Sequence, residues 1–334
     1  MLPFNKRILP LILLSFAAAA AALWAGQQNI TPPAAPKPAD QADDGSLIFR
    51  SDTREVVCAT TVIDKDGHLI ANLPKSAFTV YEDKEPQKFT MKREDVPVSL
   101  GLIIDNSGSM RDKHKKVETA AIVLVEASNK EDEEFVVNFN DTPYLDLPHE
   151  KEFTNDIEEL KEALARIDAR GGTAMRDAVN VSIVHLKEKA RRDKKVLVVV
   201  TDGVDNSSII SLEALVKEAQ QSGVLIYAVG LLTEEDRNDA KRAKRELDSL
   251  TEATGGRAFY PRELADVERI AQEVAHDIRN QYTIAYTPSN TALDGSFRSI
   301  RIVVNAPGHP TVRTRSGYYA TPDRGQSKAP GASK

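Results

Sequence analysis

Three loops of this sequence carry short side chains whose oxygens could bind a metal ion. The loops lie in the segments IIDNSGSM, GGTAM and VLVVVTDG, and the candidate ligands are Asp105, Ser107, Ser109, Thr173 and Asp202. Carboxylate and hydroxyl oxygens are hard donors of the kind that a small divalent cation prefers. No Cys or His accompanies them, which argues against a zinc or copper site. We therefore predict a metal-dependent recognition surface here, and not a catalytic centre.

The elements that carry these residues follow an alternating pattern of strands and helices that begins near residue 97. The apolar strand runs are VSLGLIID, EEFVVNFN, KKVLVVVTD, VLIYAVGLL and GRAFYP. Helical patterns lie between them, over residues 113–130, 156–167, 174–191, 211–221, 234–254 and 263–281. Continuous apolar strands separated by amphipathic helices predict an α/β fold with a doubly wound, mainly parallel sheet that is covered on both faces.

This sheet would bring the candidate ligands together. In an open α/β sheet, ligands bind beyond the carboxyl ends of the strands. Asp105 ends the run VSLGLIID and Asp202 ends the run VLVVVTD, so their carboxylates should meet at the same edge. The glycine between Ser107 and Ser109 allows a sharp turn that can direct both hydroxyls to one point. Two glycines before Thr173 give a similarly compliant loop.

The chemistry of this ligand set favours binding of a partner. Mg²⁺, with Mn²⁺ or Ca²⁺ as alternatives, takes about six oxygen ligands and releases its waters reluctantly. Hydroxyls are weak donors, so an ion held mainly by hydroxyls stays electrophilic. We expect such an ion to accept a Glu or Asp carboxylate from another protein.

With these motifs, residues 97–280 resemble the von Willebrand factor type A (VWA) domain family. The metal-ion-dependent adhesion site of that family has the form Asp-x-Ser-x-Ser…Thr…Asp, and all five positions match here. The resemblance implies a Rossmann-like VWA domain over residues 96–281. It also implies that Ser107, Ser109 and Thr173 bind the ion directly in a partner-bound state, whereas Asp105 and Asp202 act mainly through water. The segments before and after the domain resemble the flanks of a group of bacterial exported proteins that carry a VWA-related domain.

The flanking segments have β patterns that need strand partners. Residues 47–95 contain EVVCATTVID, HLIANL and FTVYEDKEPQKFTMKRE, and residues 282–319 contain QYTIAYTPSN, FRSIRIVVNAP and TVRTRSGYYA. We predict that the two flanks form one small β-sandwich into which the α/β domain is inserted; separate small β units are the alternative. The segment DKDG lacks the spacing and the final Glu of an EF-hand, so a tight turn is the interpretation we favour over a calcium loop.

The N-terminus has the pattern of an export signal. Lys6 and Arg7 precede an apolar run at 8–23, followed by small residues, which predicts a signal peptide over residues 1–25. An uncleaved anchor is the alternative, and it would be the sole membrane contact. The Pro/Ala-rich segment 26–46 and the tail 320–334 read as disordered. We expect an exported bacterial protein in the periplasm, on the cell surface or secreted.

The remaining composition excludes several function classes. The net charge of −6 and the absence of a basic block argue against nucleic acid as a partner. The sequence has no Gly-x-Ser-x-Gly elbow and no phosphate-binding Gly-rich loop, so we expect no enzyme. Cys58 is the single cysteine, and we expect it to act as a small buried hydrophobe. A structural or assembly factor of the cell envelope, in which a metal only stabilises the loop, is the alternative function.

Overall fold

A computed structural model describes residues 55–93, 95–148, 151–166, 169–232 and 237–321 of the 334-residue chain. The predicted signal peptide (1–25), the predicted linker (26–46) and the predicted tail beyond residue 321 lie outside the described residues. Among the described residues, none of the helices combines the length and the apolarity that crossing a membrane requires.

The described residues form fourteen strands and six α-helices. The strands are β1 (Val56–Ile63), β2 (Phe78–Glu82), β3 (Glu85–Gln87), β4 (Phe89–Lys92), β5 (Val98–Asp105), β6 (Glu133–Phe139), β7 (Pro143–Leu145), β8 (Lys194–Thr201), β9 (Leu225–Gly230), β10 (Ala258–Phe259), β11 (Tyr282–Tyr286), β12 (Phe297–Val304), β13 (Thr311–Arg313) and β14 (Gly317–Tyr319). The helices are α1 (His114–Glu126), α2 (Ile157–Ala165), α3 (Met175–Lys189), α4 (Leu212–Ser222), α5 (Arg237–Thr254) and α6 (Val267–Arg279).

Six strands form the central sheet, in the order β10-β9-β8-β5-β6-β7. All neighbouring pairs are parallel except β6 and β7, which form an antiparallel hairpin at one edge. Every residue of β5, β6 and β9 is buried, as expected for strands that are covered on both faces. The helices pack in two groups, α1 with α2 and α6, and α4 with α3 and α5. The predicted α/β fold class is therefore confirmed.

Two further four-stranded sheets form the β-sandwich that the sequence predicted. Their strand orders are β13-β1-β11-β4 and β14-β12-β2-β3, so each sheet takes two strands from each flank of the central domain. Cys58 pairs with Ile284 in the first sheet, and Val80 pairs with Ile302 in the second. All four side chains belong to one buried apolar cluster between the sheets. The expected role of Cys58 is confirmed, because it is fully buried and burial raises the pKa of its thiol to about 11.

One predicted strand is wrong. The run HLIANL makes only an isolated bridge, between Leu69 and Ile63, before a short 3₁₀ turn at Lys75–Ala77. The Ile70 amide donates to the Val62 carbonyl at 2.8 Å. Two other backbone groups of the run are bound by a side chain of β11. The Tyr282 hydroxyl donates to the Ile70 carbonyl and accepts from the Leu73 amide, each at 2.9 Å. The preceding DKDG segment forms the predicted turn, with the amide of Gly67 donating to the carbonyl of Asp64.

The sandwich contacts the central domain at the end where α4, α5 and α6 finish. Gln281, just after α6, donates to the Thr61 hydroxyl at 3.0 Å and to the Tyr227 hydroxyl at 3.2 Å. The Ser316 amide donates to the carbonyl of Ala253 near the end of α5. Helices in this fold run antiparallel to the strands, so this is the amino end of the sheet. The sandwich therefore lies opposite the edge where β5 and β8 end.

Candidate metal centre

The first predicted ligand, Asp105, is the last residue of β5 and is fully buried. Its Oδ1 accepts the Ser107 amide at 2.8 Å, which turns the chain sharply after the strand. Its Oδ2 accepts the hydroxyl of Thr201, the last residue of the neighbouring strand β8, at 2.6 Å. The carboxylate is therefore fixed between two adjacent strand ends, as the sheet topology predicted.

Three more predicted ligands, Ser107, Ser109 and Asp202, lie beside this carboxylate at the edge of the sheet. The hydroxyls of Ser107 and Ser109 lie 3.2 Å apart, and the Ser109 hydroxyl donates to Asp202 Oδ1 at 2.7 Å. The other oxygen of Asp202 accepts Lys113 Nζ at 2.5 Å. Ser109 is exposed, whereas the other two ligands are buried, so the group opens to solvent at Ser109.

The fifth predicted ligand, Thr173, sits in a loop that packs beside this group. Its amide donates to the side chain of Asn206 at 2.9 Å, and its carbonyl accepts the Asn206 amide at 3.0 Å. A Cβ added at Gly203, next to Asp202, would lie 3.7 Å from the Thr173 hydroxyl. The Gly108 amide also donates to the carbonyl of Gly171. The structure thus brings the three loops together.

Asn106 fixes the backbone between the first two ligands. Its amide donates to the Phe139 carbonyl at 2.7 Å, and its carbonyl accepts the Arg170 amide at 3.1 Å. His114 Nε2 lies 2.7 Å from Asn106 Oδ1 and must donate to it, because an amide oxygen only accepts. His114 Nδ1 has no hydrogen-bond partner, and burial lowers the pKa of this histidine. The loop therefore rests on a neutral, buried imidazole.

The electrostatics of the group suit a cation. Burial raises the pKa of Asp105 to about 6, although the hydrogen bonds from Thr201 and Ser107 act in the opposite direction. The nearby Asp202 carboxylate raises the pKa further. A positive ion beside the two carboxylates would offset both the cost of burying the ionised Asp105 and its repulsion by Asp202. Oxygen-only ligands also match a hard divalent cation, so the residues present fit such an ion.

The sequence did not identify several residues that hold these ligands. Thr201 and Lys113 bind the two carboxylates, and Asn206 binds the Thr173 loop. Thr201 could have been identified from the sequence, because it is a polar residue at the end of an apolar strand and directly precedes Asp202. Lys113 carried no such signal. Asp205 holds the turn that follows Asp202, because its carboxylate accepts the amide and hydroxyl of Ser208 and two donors of Arg176.

A separate cluster of possible metal ligands lies in the sandwich, in the turn after β1. Ligand atoms of Asp64, Asp66 and His68 lie within 4.8 Å of one another. Asp64 Oδ1 accepts the amides of the other two residues at 2.9 and 2.8 Å, which accounts for the turn without an ion. This cluster is distinct from the group at the sheet edge.

Comparison with known proteins places the candidate centre inside a known domain. The model of the von Willebrand factor type A domain family matches residues 100–273. Calcium-activated chloride channel regulator 1 of Equus caballus is 26% identical over 163 residues, which cover 48% of this chain and 16% of that protein. The chain spans between 9% and 26% of the lengths of four such curated relatives.

Two solved structures illustrate the likeness in backbone. A von Willebrand factor type A protein from Catenulispora acidiphila has a TM-score of 0.46 and 16% identity, covering 82% of this chain and 75% of that one. Proximal thread matrix protein 1 of the mussel byssus, with a zinc-occupied MIDAS motif, has a TM-score of 0.48 and 17% identity. That match covers 60% of this chain and 50% of the mussel protein.

Proposed function

The protein belongs to the von Willebrand factor type A domain family, whose model matches just over half of the chain, and we propose that it is a non-enzymatic protein that binds another protein through a divalent cation. The ion would be held by Asp105, Ser107, Ser109, Thr173 and Asp202. Mg²⁺ is the ion that we propose, with Mn²⁺ and Ca²⁺ as alternatives.

The observation that carries this proposal is a continuous chain of hydrogen bonds that begins at Thr201 and ends at Lys113. Hydrogen-bond contacts of 2.5 to 3.2 Å link Asp105, both serines and Asp202 at one edge of the sheet. A bound divalent cation would supply an electrophilic position that accepts a carboxylate oxygen. The chain's own residues fix the hydroxyls, exclude water from the buried side and leave the exposed Ser109 side open to a partner.

We also propose that the protein acts outside the cytoplasm. The support is the sequence pattern at 1–25, in which Lys6 and Arg7 precede an apolar run and small residues. Fractionation of cells that express the full chain tests this, because recovery of the protein in the cytoplasm alone would contradict export. Mass spectrometry of the exported protein then shows whether residues 1–25 have been removed.

The first experiment measures metal binding by calorimetry and by melting temperature. We expect Mg²⁺ or Mn²⁺ to raise the melting temperature of the wild-type protein, because a ligand that binds only the folded state stabilises it. The variant Ser109→Ala should lose most of this shift while keeping its melting temperature without metal. Ser249→Ala, which changes an exposed serine on α5, is the matched control and should behave as wild type. Equal metal responses in both variants would contradict the proposed ligand set.

The second experiment tests the carboxylate. A random peptide library displayed on phage is selected on the immobilised full chain in Mg²⁺ and, in parallel, in EDTA. We expect peptides with Asp or Glu at a fixed position to be enriched in Mg²⁺ alone. Metal binding without such enrichment would favour the alternative, an envelope assembly factor in which the ion only stabilises the loop.

A further inference from the structure

A positively charged side chain already lies at the candidate metal centre. The ammonium of Lys113 is 2.5 Å from Oδ2 of Asp202, whose side chain is fully buried. The other oxygen of this carboxylate accepts the hydroxyl of Ser109. The side chain of Lys113 is itself only 23% exposed, so salt and water screen this ion pair weakly. An internal cation therefore binds one of the two carboxylates that we assign to the metal.

The backbone places Lys113 on the segment that carries two of the ligands. Lys113 follows Ser107 and Ser109 in the chain and directly precedes α1. Its amide donates to the carbonyl of Met110 at 2.9 Å, and its carbonyl accepts the Val117 amide at 3.2 Å. Met110 is fully buried, which fixes the turn between the serines and the helix. The base of the Lys113 side chain is therefore held by the same piece of backbone as the serine hydroxyls.

This ion pair changes the charge that a metal ion meets. Asp105 and Asp202 both attract a cation, but Lys113 already balances one of these two negative charges. A divalent cation that shares Asp202 with an ammonium is also repelled by it, and such repulsion is strong at a partly buried site. The loaded centre would keep a positive charge in excess of its carboxylates. An additional anion, such as the carboxylate of a partner, neutralises that excess.

We propose that Lys113 is an internal competitor that couples binding of the metal to binding of an acidic partner. The inference rests on the proposed function and adds how that site is regulated. Without a partner, repulsion by the ammonium keeps the affinity for the ion low. A partner carboxylate offsets the excess positive charge, so the ion and the partner each strengthen the binding of the other. Lys113 acts on the centre through Asp202 and does not itself bind the ion.

The first test compares wild type, Lys113→Met and Lys115→Met by calorimetry with Mg²⁺ and Mn²⁺ alone. Met has nearly the length of Lys without its charge. We expect Lys113→Met to bind the ions about tenfold or more tightly than wild type, because a nearby like charge is removed. Lys115, which pairs with Glu118, is an exposed residue of α1, so Lys115→Met removes the same charge elsewhere and should stay within about twofold of wild type. Equal or weaker metal binding by folded Lys113→Met would overturn the proposal.

The second test measures the partner side on the metal-loaded proteins. The probe is the blocked peptide acetyl-Gly-Glu-Gly-amide, titrated at saturating Mg²⁺ and followed by NMR, with the corresponding Gln peptide as its control. Lys113→Met should bind the Glu peptide about threefold to tenfold more weakly than wild type, because its loaded centre lacks the excess positive charge. A merely structural role for Lys113 predicts a different result, since loss of a structural contact would weaken metal binding and peptide binding together. Equal peptide affinities in the two proteins would overturn the coupling.

Melting temperatures without metal show whether the variants fold. Lys113→Met leaves a buried carboxylate without its ion-pair partner, so it should melt below wild type and regain the difference in saturating Mg²⁺. If it does not fold without metal, Lys113→Gln, which keeps a hydrogen-bond donor but no charge, replaces it with the same expected affinities.

The outcomes separate this inference from the proposed function. If wild type binds neither ion, or if the Mg²⁺-loaded wild type does not prefer the Glu peptide, the proposed function fails and this inference fails with it. If wild type binds the ion and the Glu peptide, and Lys113→Met matches it in both, the role of Lys113 alone is wrong.

Discussion

At the scale of residues, burial and ionisation oppose each other at Asp105. Its pKa is raised to about 6, mainly by burial, so the folded protein without metal binds more protons than the unfolded chain between pH 3.8 and about 6. The contribution of Asp105 to stability therefore decreases as the pH rises through that window. A divalent cation reverses the sign, because it binds the ionised carboxylate and competes with the proton.

We accordingly predict that affinity for Mg²⁺ or Mn²⁺ is about tenfold lower at pH 5 than at pH 7, as one proton competes at a group with a pKa near 6. Calorimetric titrations at several pH values measure the effect. Asp105→Asn is the control, because its weaker residual binding should lose the inflection near pH 6. An affinity that stays constant from pH 7 to pH 5 would show that ionisation of Asp105 is not coupled to binding of the ion.

At the scale of elements, the loop that presents Thr173 depends on a left-handed glycine. Gly171 has φ +73°, and a Cβ there would also lie against the carboxylate of Asp141. We predict that Gly171→Ala weakens metal binding at least several-fold, since Asp141 also holds the Gly172 amide at 2.7 Å. Backbone strain alone should cost about 1–2 kcal/mol of stability.

Gly295→Ala separates these two effects. Gly295 has φ +75°, but nothing lies within 4 Å of an added Cβ, and it belongs to the loop before β12. The Gly295→Ala variant should lose about as much free energy of unfolding as Gly171→Ala and keep the metal affinity of wild type. Denaturant unfolding and metal calorimetry on both variants decide the matter. Equal metal affinities in the two variants would mean that the Thr173 loop is not part of the centre.

The same elements show how far the sequence could predict the site. The residues Asp105 and Asp202 follow apolar strand runs, and the rule that parallel strands end at one edge was sufficient to bring them together. The contact of Lys113 with Asp202 could not be read from local pattern, because it joins residues 89 apart. The HLIANL segment failed as a strand for a similar reason. A distant hydroxyl, that of Tyr282, binds two of its backbone groups.

At the scale of the whole molecule, the sandwich and the metal edge occupy opposite ends of the central sheet. The junction includes the contact of Gly255 with the chain between β13 and β14. Gly255 has φ +87°, and a Cβ there would lie 2.5 Å from the amide nitrogen of Arg315 and 2.6 Å from the carbonyl carbon of Thr314. Both atoms are backbone, so no side-chain rotation could relieve the contact.

We predict that Gly255→Ala lowers the free energy of unfolding by about 2–4 kcal/mol, from left-handed strain and overpacking together. Hydrogen exchange should become faster in β13 and β14. Metal affinity should stay within about twofold of wild type, because the ligands lie at the far end of the sheet.

Gly223→Ala is the matched control. Gly223 has φ +71°, but its nearest neighbour is the Arg315 guanidinium at 3.5 Å, so only the left-handed strain of about 1–2 kcal/mol applies. A parallel loss of metal affinity in Gly255→Ala would show that the sandwich junction and the metal edge are coupled through the sheet.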